Sequence, residues 1–142
     1  MVEKSWKRVE RQVAEYWGGA RTPLSGRNSR HDTSADAINL PVPAYLEVKH
    51  GAGCPKSVDG ILRLFADSEG KARLEGKTAF LILHEKRTQE PVRLWPVWCR
   101  VRVALVRDRI PGAGVEHIGP IAQGLARRLF FEACDIDLPD VE

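Results

Sequence analysis

Apolar residues recur along this chain with two periods, one helical and one extended. Between Val2 and Trp17 they return every three or four positions, so that Trp6, Val9, Val13 and Trp17 share one stripe of a predicted helix and Lys4, Lys7, Arg8 and Arg11 lie opposite. Glu10 falls inside that stripe and Glu15 outside it. A carboxylate on a buried face needs a cation, a hydrogen-bond network or a metal. Gly18-Gly19 then stops the helix, as Gly does just past a C-terminus. Two short runs follow, Ala35 to Asn39 and Tyr45 to Lys49, separated by a segment whose Pro41 and Pro43 forbid a continuing ladder. In the second run the alternation of a strand turns Leu46 and Val48 into a core and places Glu47 and Lys49 together on the other face.

Further on, His50 to Pro55 reads as a turn and Ser57 as the cap of a helix with Val58, Ile61, Leu62 and Phe65 on one face and Gly70 as its expected stop. Thr78 to Leu83 is an unbroken apolar run, the mark of a strand buried on both faces. From Val97 to Val106 the pattern alternates again. Trp98, Arg100, Arg102 and Ala104 share one side and Val97, Cys99, Val101, Val103 and Leu105 the other, which predicts a basic, solvated face. Pro120 is expected to open a last helix, with Ile121, Ala122, Leu125 and Leu129 in its stripe. Phe130 and Phe131 fall outside that stripe and suit a wider contact, such as a second subunit. The order helix, strands, helix, strand, strand, helix predicts an α/β fold.

Length allows one domain over residues 1–142. The net charge of +3 says little, but its distribution says more. Lys86, Arg87, Arg93, Arg100, Arg102, Arg107 and Arg109 stand against only Glu90 and Asp108 in that span, whereas every charge after Arg128 is acidic. Such segregation suits a polyanion on one side of the molecule. Arg21 to Thr33 is a polar loop with nothing to pack, and its arginines and hydroxyls suit phosphate. Cys54, Cys99 and Cys134 lack metal-ligand spacing and read as free thiols of a reducing cytoplasm. Neither a signal peptide nor a membrane span is expected.

The candidate chemistry centres on Asp36, Glu47 and Lys49. Phosphodiester hydrolysis needs an activated water and charge relief at the phosphate, and a bound Mg²⁺ supplies both. Mg²⁺ takes hard oxygens, here those of Asp36 and Glu47, with the Val48 carbonyl as a further donor. Lys49 would orient the water and face the developing charge. Asp32 is the rival first acid, but it lies in the polar loop while Asp36 lies in the apolar run.

Asp36 followed by Glu47-Val48-Lys49 resembles the signature of the PD-(D/E)XK nuclease superfamily. With Glu10 in the first helix and the basic Ser/Gly loop from Arg21 to Arg30, the first third of the chain is similar to archaeal-type Holliday-junction resolvases. Arg21 to Gly26 with Glu47 to His50 also looks like small resolvase-like proteins of phage genomes. The resemblance implies a restriction-endonuclease-like core, a central mixed sheet flanked by helices in αβββαβ order, with an extra C-terminal strand and helix. It implies a homodimer that cleaves branched or four-way-junction DNA with Mg²⁺, for which Mn²⁺ substitutes. Asp36, Glu47, Val48 and Glu10 would hold the metal. Glu10, Asp36, Glu47, Lys49 and Ser25 (or Ser29) would serve catalysis, and Arg21, Ser25, Arg27, Ser29, Arg30 and His50 would grip DNA. Two alternatives stay open: a nuclease that nicks, trims or cuts duplex at specific sites, and a DNA-binding accessory module without turnover.

Overall fold

The computed structural model describes residues 5–23, 33–85, 89–104 and 114–139. Helix α1 (Ser5–Tyr16) leads into two short strands, β1 (Ala20–Arg21) and β2 (Ala37–Ile38). Strand β3 (Ala44–His50), helix α2 (Val58–Leu74) and strand β4 (Thr78–His84) follow, then β5 (Pro96–Ala104), β6 (Gly114–Ala122) and helix α3 (Gln123–Ala133). The fold is α/β: β3, β4, β5 and β6 form a mixed sheet in that order, and helices cover both of its faces. β3 and β4 run parallel, as a helical crossover through α2 allows, and the later pairs are antiparallel. β1 and β2 make a separate antiparallel pair.

Strand alternation sorts the core into two halves. Ala44, Leu46 and Val48 of β3, Phe80 and Ile82 of β4, and Val97 and Cys99 of β5 pack against α1 and α3. Tyr45, Ala79, Leu81 and Leu83 pack against Phe65 and Ala72 of α2. β4 is thus buried on both faces, as its unbroken apolar run predicts. Two polar ties fix the first face. The Trp17 indole donates to Gln123, whose amide donates to the Val92 carbonyl. Arg127, buried, donates to the Tyr16 carbonyl at 2.7 Å and lies over that residue's ring.

The chain turns from α1 into β1 on two glycines. Gly18 takes a φ of +89°, and a Cβ at Gly19 would run into the Ile38 carbonyl oxygen. These glycines let β1 lie close against β2.

Several expectations need correction. Trp6 is 39% exposed and belongs to neither core, although the helical stripe places it with Val9 and Val13. Helix α2 runs through Gly70 and ends before Gly76, which takes the left-handed φ of +67°. Ser57 caps it as expected, but Val58 is 60% exposed, and Phe65, Ser68 and Ala72 form its buried stripe. Pro120 lies in strand β6 opposite Trp98, and the last helix starts three residues later. A strand rather than a helix begins the C-terminal segment because pairing with β5 satisfies its backbone. Phe131 is fully buried beside Trp17, and Phe130 meets Phe80, while Leu125 and Leu129 are exposed large apolar residues of α3. The supposedly solvated side of β5 is partly covered: Trp98 packs near α2, and Arg100 donates twice to Glu69 on that helix. Among the described residues no helix is long and apolar enough to cross a membrane.

Candidate functional site

β3 is an outer strand of the main sheet, and Asp36 meets its open edge. The Asp36 amide donates to the Leu46 carbonyl at 2.9 Å, and its carboxylate accepts from the Val48 amide at 2.8 Å. The side chain therefore stands where a neighbouring strand's carbonyl would be. Glu47 and Lys49 flank that amide and share a face as predicted, with the ammonium 3.2 Å from the carboxylate. Glu10 comes from α1 and is half-buried, with its carboxylate 2.8 Å from the Arg21 guanidinium. The structure thus gathers Glu10, Asp36, Glu47 and Lys49, which are spread over forty positions of sequence, within electrostatic reach of one another.

The charges in this cluster are under tension. Burial pushes the Asp36 carboxyl up to about 7, and the Glu47 and Glu10 carboxylates push in the same direction against the Val48 amide and Lys49. Burial also raises Glu10, offset by Arg21, with Glu47 again adding to the rise. Each acid has its own partner: Arg21 for Glu10, the Val48 amide for Asp36, Lys49 for Glu47. Among the described residues no three His, Cys, Asp or Glu side chains surround a common point closely enough to hold one ion.

No family model matches this sequence, and no curated protein or solved structure is significantly similar to it.

Arg21, expected on phosphate, is engaged by Glu10 and lies 5.4 Å from the Trp6 ring centroid. His50 sits on the opposite face of β3 from Lys49. Its Nδ1 is 2.7 Å from that of His84, the register partner on β4. His84 in turn rests on Trp95 at 4.0 Å, and burial holds its imidazole down to about 4. Ser25, Arg27, Ser29 and Arg30 lie outside the described residues, as does Asp32.

Sequence reading missed the strap that holds Asp36 in place. The Thr33 hydroxyl donates to Glu75 at 2.6 Å, the Ser34 amide donates to the same carboxylate, and the Ser34 hydroxyl bonds the Tyr45 hydroxyl at 2.7 Å. Lys77 completes the cluster 3.1 Å from Glu75. Burial pushes Glu75 up, but these donors together hold its carboxyl below the ordinary value. The only hint in the sequence is two hydroxyl residues just before Asp36. Their partner lies some forty positions away, past a whole helix.

Proposed function

We propose that this chain is a metal-dependent endodeoxyribonuclease with a restriction-endonuclease-like core, and that it acts on branched DNA. The observation that carries the proposal is the convergence of Glu10, Asp36, Glu47 and Lys49 at the open edge of β3. In chain order α1, β1, β2, β3, α2, β4 reads αβββαβ, which is compatible with such a core, although β1 and β2 pair outside the main sheet and two strands and a helix follow.

The donor set fits a hard divalent cation. Asp36 is raised first by burial and then by the Glu47 and Glu10 carboxylates, and a divalent charge beside it would relieve that rise. Asp36 and Glu47, with backbone, water and phosphate oxygens, suffice, because Mg²⁺ ordinarily takes only one or two carboxylates. When bound, such an ion supplies Lewis-acid activation of water and neutralises the phosphate. The protein's own groups do the rest. The Val48 amide fixes Asp36, Lys49 orients water and faces developing charge, and Arg21 opposes the rise that burial gives Glu10. A homodimer would present two such sites to the two strands of a junction.

The test is a denaturing gel of labelled four-way junction, linear duplex and single-stranded DNA, each with Mg²⁺ or with EDTA. Symmetric paired nicks in the junction alone, lost in EDTA and in Glu47→Gln, are expected. Cutting of all three substrates would keep the nuclease and remove the junction preference. Uncut DNA across several divalent metals, with shifted bands on a native gel, would favour a binding module. That reading has its own support in the cation or amide already engaging each carboxylate.

A further inference from the structure

We infer that Trp6 is a stacking platform for an unpaired nucleobase beside the carboxylate cluster. This selects DNA with splayed or single-stranded nucleotides next to the bond to be cut. The inference rests on the nucleic-acid reading above and narrows its substrate class.

Three observations lead to it. Trp6 is a large aromatic left outside both cores, on the first turn of α1, while Trp17 and Trp95 are buried. It lies one helical turn before Glu10, so ring and carboxylate share a side of the helix. Arg21 links the two: its Nε donates to Glu10 at 2.8 Å, and its guanidinium carbon is 5.4 Å from the Trp6 centroid. Lys7 also reaches the ring, at 5.4 Å. Both cations are at the loose end of cation–π range, and Lys7 can turn to a phosphate without giving up a close ring contact while Arg21 stays on Glu10.

The chemistry of this patch matches a nucleotide in two parts. An exposed indole offers a flat π surface that accepts any base, and Lys7 beside it offers positive charge for its phosphate. A paired base is sandwiched in the duplex and cannot reach such a ring, so the platform reads strand separation and not sequence. With a base on Trp6, the strand continues toward Glu10 and the acids beyond it. A membrane or protein surface fits less well, because among the described residues Trp6 is the one exposed aromatic and its ring neighbours are the cations Lys7 and Arg21.

The test is binding measured in EDTA, which separates it from cutting. Parent, Trp6→Ala and Trp6→Phe are titrated with a fluorescently labelled oligothymidylate and with a duplex of the same length. Tryptophan emission is followed with the unlabelled oligonucleotides. Oligothymidylate should quench the parent's emission, and most of that quenching should vanish in Trp6→Ala. Its dissociation constant should rise on the order of tenfold in Trp6→Ala and stay within about threefold of the parent in Trp6→Phe. Duplex binding should be unchanged in both. If Trp6→Ala binds and quenches like the parent, or the parent binds duplex alone, the platform is overturned and the nuclease reading stands. If the parent binds neither oligonucleotide, both fall.

Discussion

Asp36 shows how much a single side chain's chemistry depends on what surrounds it. It sits in a short apolar run, its carboxylate takes the Val48 amide, and burial with Glu47 nearby raises it to about 7. An unfolded Asp ionises at 3.8, so the folded state holds its proton to higher pH. Stability from this group is fully present below the unfolded value and is lost as pH rises through about 7. Without metal, thermal stability of the parent should therefore fall between about pH 4 and about pH 7 more steeply than that of Asp36→Asn. Equal slopes in the two proteins would contradict the assignment. The same shift makes proton release part of ion binding, so the Mg²⁺ concentration needed for half-maximal protection against heat should fall as pH rises over that range.

At the scale of elements, the approach of residues 33–36 to β3 is held from the far end of α2. Thr33 and Ser34 anchor to Glu75, which follows the last turn of that helix, and Tyr45 fastens Ser34 from β3 itself. Glu75 has no role of its own in the proposed chemistry, so it is a positioning residue. Glu75→Ala leaves the Thr33 hydroxyl, which is buried, without its acceptor and should cost about 1–3 kcal/mol in urea unfolding. If the strap orients Asp36, the variant should also need several-fold more Mg²⁺ for activity while its rate at saturating Mg²⁺ changes little. A purely structural role would lower the amount of active protein and leave the Mg²⁺ dependence where it was.

Across the whole molecule, α3 does more than close the C-terminus. It packs on the same sheet face as α1, and Gln123, Arg127 and Phe131 tie it to Trp17 and Tyr16. The helix that carries Glu10 is therefore held in place by the last helix of the chain. Phe131→Ala should destabilise by about 3–5 kcal/mol, with an unchanged dependence on urea if the protein unfolds as one unit. A loss under about 1 kcal/mol would mean that α3 detaches separately and that the α1 layer stands without it.

Local pattern was enough for much of this protein. The period of Val9 to Trp17, the alternation of Tyr45 to Lys49, the Ser57 cap and the two-sided burial of β4 are all written in neighbouring residues. These signals depend on spacing within one element, which any element of that type must obey. The pairing of Glu47 with Lys49 is of this kind. Tertiary structure decided the rest. Whether Trp6 is buried depends on what reaches α1's first turn, and whether Phe131 or Leu129 faces inward depends on how α3 is rotated against the sheet. β6 takes strand form around Pro120 because β5 offers it a partner. Arg21 on Glu10, His50 on His84 and Glu75 on the Thr33 strap join residues from separate elements. No periodicity encodes such contacts, because they arise only once the sheet has set the distance between those elements.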